Sequence, residues 1–524
     1  MFSTQSLPQS FFQYSWARRL IIFFIALSTR SFLGYIFFGS VDIPCFISMT
    51  HCTLHHDLLA FPMWNYVPVL TYFLWIPGFL IIKTGLPVAF CMKLVPIFFD
   101  SLLAVLIIDI VKKHQPRIAQ WAGLAYALCP IPIIITSIHG QWDALFLFFL
   151  ILSFYIRDYF QDTYTKFFWF GFVFGFSLLI KPVSLIFLPF FFTPAQEKLD
   201  EICKAFFRWS TASQSVKKYL KFQFVACFGF ALVCSLVAAF LVWYGFNLFK
   251  LADTIGRYGN RGVQVLGLPF FWLIKDSVLA SMLKHRLLFL GAIAVLAWFY
   301  YRSRITAFQA ILITFALLFG LSGICPQYFM WLVPLLLITR MFLFAWFYGA
   351  VVTNFLVLFY ANPWANPVVP YQNMLSFAAL KSWLRFTPSA IFASEQFVPM
   401  IQLLGNLIIP VVCTVIAVCA WLVRSGPVGR NDLYRPGVDC YLLSTGALFG
   451  IVFLMRSLFN FDQALQIFVQ KSQLVLDSYA VNVISGKPSA LFQGSVFLNV
   501  ITLCLLFLVL CSISLAIASL LQKK

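Results

Sequence analysis

The chain has 524 residues, of which 62% are hydrophobic and only 10% are charged. Soluble domains carry about 25% charged residues, so this composition excludes an ordinary soluble globular protein. Apolar runs of roughly 20 residues, the length at which a helix crosses a bilayer, recur along the chain and predict an all-α, polytopic membrane protein. The net charge of +19 comes from basic residues near the ends of these runs. That pattern predicts membrane lipids as partners and no nucleic acid.

The first apolar run, 20–38, directly follows Arg18-Arg19. No small-residue cleavage site comes after it, so we expect an uncleaved span that leaves the N-terminus on the inner side of the membrane. The polar segment 39–66 is then the first outer loop. The next apolar run, 68–82, is interrupted by prolines, and we expect it to lie on the outer face or to re-enter the membrane.

The run 167–192 is broken at Lys181-Pro182, where we expect two short segments that turn at the outer side, because proline kinks or ends a helix. The other apolar runs are expected to cross in alternation, giving a bundle of roughly 12–14 helices with both termini inside. These runs are 91–111, 118–137, 144–156, 222–244, 287–301, 307–323, 328–339, 341–360, 401–423, 441–454 and 496–520. The same alternation places the long polar stretches on the outer face, namely 39–66, 245–284, 361–399 and 457–495.

The stretch Ile138-His139-Gly140-Gln141-Trp142-Asp143-Ala144-Leu145 sets polar side chains between two long apolar runs. Ionisable groups at membrane depth are costly and mark a functional site or a pair. The predicted topology puts His139, Gln141 and Asp143 on the outer side, together with Asp42, which closely follows the first span. A carboxylate at that position can act as a general base toward a hydroxyl group, although an ordinary solvated aspartate explains it equally well.

Three cations are candidates for holding a phosphate at the outer side. Lys181 precedes the proline break, and Arg257 and Arg261 lie among glycines in a predicted outer loop. Lysine binds phosphate as a point charge and arginine binds it with two parallel hydrogen bonds. The alternatives are a Lys181 side chain that extends to the membrane interface and a flexible, solvated loop around the arginines.

Other polar residues have simpler explanations. Asp100 lies inside the run 91–111 and needs a partner in the bundle, for which Arg30 is the candidate, so we predict a structural pair. His51 and His55 have a metal-ligand spacing with Asp57 as a third ligand. A wet interfacial loop accounts for these histidines equally well, so a divalent metal stays open but unsupported, and no metal ligands are assigned.

In this order, these residues resemble the GT-C class of polyprenol-phosphate-sugar-dependent glycosyltransferases. The resemblance is nearest to the bacterial polyprenol-phosphate-mannose mannosyltransferases and to the catalytic subunit of GPI mannosyltransferase I, and it extends over 18–339. The matching elements are Asp42, Asn65-Tyr66-Val67-Pro68-Val69-Leu70, Lys93-Leu94-Val95-Pro96 with Asp100, Cys129-Pro130, Gly140-Gln141-Trp142-Asp143-Ala144, Lys181-Pro182, and Pro326-Gln327-Tyr328 with Trp331. The chain departs from the pattern at Val67, where the family has a proline, and in having a lone Asp42 where some members have Asp-x-Asp.

The resemblance implies a GT-C-like catalytic transmembrane module over 1–340, with its active-site loops on the outer face, and further helices with outer loops over 341–524. It implies an inverting transfer of a hexose, with mannose favoured, to an acceptor hydroxyl on the non-cytoplasmic face. The donor would be a polyprenol-phosphate-linked sugar, the acceptor a glycan or a lipid-linked molecule, and no cofactor is expected. A bacterial inner membrane is favoured over the endoplasmic reticulum as the location.

The resemblance also implies roles for individual residues. Asp42 would take the proton of the acceptor hydroxyl. The cations of Lys181, Arg257 and Arg261 would stabilise the leaving phosphate, whose charge grows as the sugar–oxygen bond breaks. The remaining members of the implied substrate site are Tyr66, His139, Gln141, Asp143 and Gln327.

Two other classes of protein fit the composition. A transporter or flippase of lipid-linked sugars would share the number of spans and the basic outer pocket, but transporters often contain paired broken helices at corresponding positions. The sequence has one clear break, at Lys181-Pro182. A non-catalytic assembly subunit is the third class, and it would not need Asp42, Asp143 and Lys181 to converge.

Overall fold

The computed structural model describes residues 15–40, 42–43, 46–47, 49–50, 69–84, 86–192, 213–243, 286–321, 326–361, 369–370 and 408–422. The regular elements of this part of the chain are helices, with one short two-stranded exception. The predicted spans 441–454 and 496–520, and the outer stretches 245–284 and 457–495, lie outside the described residues.

The elements follow one another in a simple order. The first group is α1 (Ser15–Ile36), β1 (Phe37–Gly39), α2 (Val69–Thr84), α3 (Val88–His114), α4 (Ala119–Ala127) and α5 (Pro130–Ile133), which continues as a π-helix (Ile134–His139). The second group is α6 (Asp143–Tyr159), α7 (Tyr164–Ile180), a 3-10 helix (Pro182–Phe190), α8 (Gln214–Trp243), α9 (Arg286–Tyr301) and α10 (Ala307–Leu321). The last group is a second 3-10 helix (Pro326–Trp331), α11 (Leu332–Ile338), α12 (Phe342–Ala361), β2 (Val369–Pro370) and α13 (Ile409–Leu422).

Three helices of the described part are long and apolar enough to cross a membrane, judged by length and composition: Val88–His114, Ala119–His139 and Gln214–Ala239. They correspond to the predicted spans 91–111, 118–137 and 222–244. Six shorter apolar helices, of 10–17 residues, accompany them. The chain is therefore built as a helical membrane protein, and the number of crossings stays a prediction.

The predicted pair between Arg30 and Asp100 is confirmed and ties α1 to α3. Both side chains are fully buried, and the Arg30 Nε donates to Asp100 Oδ2 at 2.5 Å. The Arg30 guanidinium also donates to the carbonyl of Ala127 at 2.7 Å, where α4 ends and its last carbonyls lack helical partners. The hydroxyl of Tyr126 donates to the second oxygen of Asp100. Every charge in this cluster is matched, which is the condition for burying ions in a membrane protein.

The helical segment is interrupted at Lys181, as the proline that follows it predicts. The backbone of Lys181 is extended (φ −143°, ψ 119°) between α7 and the 3-10 helix. The side chain of Lys181 pairs with Asp143 at the start of α6. At the other end of α6, the Arg157 guanidinium donates to the carbonyl of Phe190 at 2.5 Å. The 3-10 helix therefore extends back along α6, and α7 and the 3-10 helix form the two-segment turn that the sequence indicated.

The helix α2 packs against the middle of α3. The ring of Phe73 contacts Phe99, near the middle of α3, with centroids 5.7 Å apart, and it contacts Phe176 of α7 at 6.0 Å. The segment predicted at 68–82 is thus a continuous helix that packs against α3 and α7.

The two strands pair antiparallel, with Phe37 opposite Pro370 and Gly39 opposite Val369. This ladder brings the predicted outer stretch 361–399 beside the end of α1, where the first outer loop begins. The common outer side predicted for these two stretches is thus matched by a direct backbone contact.

Candidate functional site

The site begins with a left-handed turn after the π-helix. The backbone N–H groups of Gly140 and Gln141 both donate to the carbonyl of Ile135 at 3.0 Å, which ends the π-helix. Gly140 has φ +90°, and a Cβ placed there would lie 2.4 Å from Cδ1 of Ile43. Only glycine fits both the conformation and the space. The turn aims His139 and Gln141 to the same side.

A second glycine turn, at Gly39, brings Asp42 close to His139 and Gln141. Gly39 has φ +121° and ends β1. The N–H of Ser40 then donates to the carbonyl of His139 at 3.1 Å. The Ser40 hydroxyl accepts from the N–H of Asp42 at 3.2 Å, which fixes the start of the segment after the strand. The backbone of the first outer loop is therefore joined directly to the end of the π-helix.

The two turns bring together three predicted site residues. Oδ2 of Asp42 lies 2.8 Å from Nε2 of His139, which is 97 residues away in the chain. The side-chain amide of Gln141 donates to the same oxygen and lies 2.9 Å from Nε2 of His139. His139 and Gln141 are 1% exposed, whereas the side chain of Asp42 is 36% exposed. The carboxylate is thus the open member of a group whose other members are buried.

These contacts set the protonation of Asp42. Burial raises the pKa of this carboxyl, but the hydrogen bond and charge of His139 and the hydrogen bonds from Gln141 and Ser40 outweigh burial, so the pKa lies below its usual value. Asp42 is therefore ionised at neutral pH, and as a carboxylate it can accept a proton.

A second polar centre lies just beyond the same turn. Asp143 is completely buried at the N-terminus of α6 and forms an ion pair with Lys181, whose side chain is 13% exposed. Nζ of Lys181 lies 4.3 Å from the ring centroid of Tyr328 and 4.8 Å from that of Trp331. Aromatic faces attract a desolvated ammonium group and hold it in place.

The structure redistributes the predicted roles within this region. Asp143 was expected beside the acceptor or Asp42, but its ion-pair partner is Lys181. Lys181 was expected to bind a phosphate or to extend to the membrane interface, and the structure pairs its ammonium group with the buried carboxylate of Asp143. Gln327 is half-buried in the second 3-10 helix.

Tyr66, Arg257 and Arg261 lie outside the described residues, as do His51, His55, His56 and Asp57. Among the residues that are described, no group of three histidine, cysteine, aspartate or glutamate side chains is arranged to hold a metal ion.

The sequence signalled some members of the site only weakly. Tyr328 and Trp331 suggested membrane anchors, but their rings stack 4.4 Å apart beside Lys181. Their spacing of three residues was the available signal, because residues i and i+3 of a 3-10 helix eclipse one another. Ser40 carried no signal of its own, and Lys93 appeared only as part of a motif.

Comparison of the chain with protein-family models, with curated proteins and with solved structures found no match. The functional argument therefore depends on the chain's own residues. The fold and the site define a helical membrane protein with two polar centres beside the turn at Gly140. One is the partly exposed Asp42 with His139 and Gln141, and the other is the buried ion pair of Asp143 with Lys181.

Proposed function

We propose that this protein is an integral membrane glycosyltransferase of the GT-C class. It transfers a hexose, with mannose favoured, from a polyprenol-phosphate donor to an acceptor hydroxyl on the non-cytoplasmic face, with inversion at the anomeric carbon. A bacterial inner membrane is the favoured location. The observation that carries the proposal is the half-exposed carboxylate of Asp42, oriented by buried His139 and Gln141 at the end of the first helix.

The contacts of Asp42 suit a general base. His139, Gln141 and Ser40 all contact Oδ2. Among the described residues no hydrogen bond reaches Oδ1, so this oxygen is left to accept from an acceptor hydroxyl. In the proposed reaction Asp42 takes the hydroxyl proton while the acceptor oxygen bonds to the anomeric carbon. The bond from that carbon to the phosphate oxygen breaks on the opposite face, and the polyprenol phosphate leaves with the electron pair.

The leaving phosphate needs a cation at the depth of the lipid headgroups. Lys181 is the described residue that meets this need, since its ammonium group is held by Asp143 and the rings of Tyr328 and Trp331. The ion pair uses one of three N–H donors, so a phosphate oxygen can be bound without breaking it. An ammonium already fixed in a dry site costs little reorganisation as charge develops on the phosphate.

The test is sugar transfer by purified protein in nanodiscs, with a panel of polyprenol-phosphate sugars and membrane-extract acceptors. We expect transfer by the wild type and a loss of about 10²-fold or more in Asp42→Asn, because that is the typical size of a general-base contribution. Asp162→Asn is the matched control, since Asp162 is an exposed carboxylate in an ion pair with Lys166 near the far end of α6. Full activity of Asp42→Asn would remove the base assignment.

The phosphate role of Lys181 needs its own test. Removing Lys181 alone would leave the buried carboxylate of Asp143 without its ion-pair partner and could destabilise the fold. The double variant Lys181→Met/Asp143→Leu, which removes both charges, is therefore compared with Lys181→Ala. We expect both to weaken donor binding, measured by calorimetry. Lys166→Met, a buried lysine paired elsewhere, should bind donor as the wild type does. Unchanged donor affinity in both Lys181 variants would contradict the phosphate role.

A transporter or flippase of lipid-linked sugars is the second candidate function. Two 3-10 helices, Pro182–Phe190 and Pro326–Trp331, interrupt apolar segments and meet at Lys181. Broken helices that converge on a buried site are typical of transporters. Donor binding without sugar transfer by the wild type would favour this function over the transferase.

A further inference from the structure

Lys93 is a completely buried lysine directly beneath the Asp42 site. It lies on α3 and is 0% exposed. Its Nζ donates to the carbonyl of Phe37 at 2.6 Å and to that of Gly34 at 3.4 Å. Among the described residues no carboxylate lies within ion-pair distance of this amino group.

The accepting carbonyls belong to the last turn of α1 and to β1, where helical partners run out. These contacts fix the direction in which the chain leaves α1, five residues before Asp42.

The stem of the same side chain also lies close to both glycine turns. Cε of Lys93 lies 3.4 Å from the position that a Cβ on Gly39 would occupy and 3.1 Å from the corresponding position on Gly140. Gly39 precedes the segment that carries Asp42, and Gly140 separates His139 from Gln141. One side chain therefore lies against the backbone of both turns whose side chains meet at the carboxylate.

Burying a lysine in the membrane without a counter-ion is costly, and an apolar residue would pack α1 against α3 at lower cost. The hydrogen bonds of Lys93 are directed at backbone that determines where Asp42 lies, and not at substrate. We propose that Lys93 is a positioning residue of the reaction: by fixing the end of α1 under both glycine turns, it holds Asp42 at hydrogen-bonding distance from His139 and Gln141. This inference rests on the proposed function.

The experiment compares Lys93→Met with Lys93→Arg. Methionine approximates the stem and removes the donor, whereas arginine keeps donors. Lys166→Met is the matched control, because Lys166 is also buried and donates to a backbone carbonyl, that of Phe160, at 2.9 Å, near the opposite end of α6. Each variant is assayed for kcat and for donor KM. The second readout is the 15N resonance of His139 Nε2 in histidine-labelled protein, assigned as the signal lost in His139→Gln.

We expect Lys93→Met to lower kcat by about 100-fold, the loss typical of a displacement of about 1 Å at a reacting centre. Donor KM should stay within about twofold, because donor binding is not what Lys93 supports. The His139 signal should move in the direction seen in Asp42→Asn. Lys93→Arg should recover part of kcat, and Lys166→Met should change neither readout. If Lys93→Met gives no folded protein, Lys93→Gln replaces it, with the same directions expected.

An unmoved His139 signal in a folded Lys93→Met protein would overturn the inference, and so would a moved signal with unchanged kcat. Failure of the proposed function is a separate result, namely no sugar transfer by the wild type. In that case the His139 signal alone decides whether Lys93 holds the Asp42 group together.

Discussion

Removing Arg30 should strongly destabilise the packing of α1 against α3. In Arg30→Met, the hydroxyl of Tyr126 would be the one partner left to the fully buried Asp100 among the described residues. Breaking a buried ion pair by removing one partner costs about 3–5 kcal/mol. Arg30 also donates to the carbonyls of Ala127, at 2.7 Å, and Tyr126, at 3.3 Å, and the loss of these two hydrogen bonds adds about 1 kcal/mol each. We therefore expect a loss of about 5–7 kcal/mol in the free energy of unfolding, or more than a 10³-fold change in the unfolding constant.

The assay is equilibrium unfolding by SDS titration in mixed micelles, followed by tryptophan fluorescence. The pair of Arg19 with Asp109 joins the same two helices but is 31% and 26% exposed, so Arg19→Met is the matched control. Solvent screening limits that effect to about 1 kcal/mol or less. The double variant Arg30→Met/Asp100→Leu should recover most of the loss, because no charge is then left unpaired.

Two results would refute this reasoning. One is a cost below about 1 kcal/mol for Arg30→Met, which would mean that Asp100 is not an uncompensated buried charge in the variant. The other is a double variant whose cost equals the sum of the single ones, since residues in direct contact should show a clear interaction energy.

Two further predictions concern the site. Gly140→Ala should cost about 1–2 kcal/mol in stability for the left-handed backbone alone and should lower sugar transfer strongly, because the new Cβ would lie 2.4 Å from Cδ1 of Ile43. Gly291→Ala, where a Cβ would meet nothing within 4 Å, should be neutral or stabilising by about 0.5–1 kcal/mol, and equal effects of the two changes would contradict the packing argument. Because the pKa of Asp42 lies below its usual value, the rate of sugar transfer by the wild type should fall only below about pH 4, where Asp42 becomes protonated. The stability that ionised Asp42 contributes is likewise present above its ordinary pKa and lost as pH falls through the folded value. In His139→Gln the acid limb should move to higher pH in a pH–rate profile, and an unmoved limb would show that His139 does not lower this pKa.

The sequence alone was sufficient for features that depend on local composition. The apolar runs at 91–111, 118–137 and 222–244 correspond to the three helices of membrane-spanning length. The break at Lys181-Pro182 was also predicted, because proline removes a donor and clashes with the preceding helical turn wherever it occurs. Burial of apolar side chains in lipid and the restriction of φ at proline act within a few residues, so a single sequence contains them.

The tertiary structure decided which polar groups meet. Asp42 contacts His139 across 97 residues of chain, and Lys181 contacts Asp143 across 38. The sequence indicated Arg30 as the partner of Asp100, because both lie inside apolar runs, but it did not indicate that Lys181 pairs with Asp143. A buried charge requires a partner, and the packing of the helices chooses it.

The same division holds for the residues around the site. The glycines at 39 and 140 were visible in the sequence, but their left-handed conformations and the shared contact with Lys93 follow from how α1 packs against α3 and the π-helix. What this sequence determined by itself is a helical membrane protein with costly polar residues at one end. Where those residues point was decided by the tertiary structure, because side-chain contacts between distant segments depend on helix packing and not on local propensity.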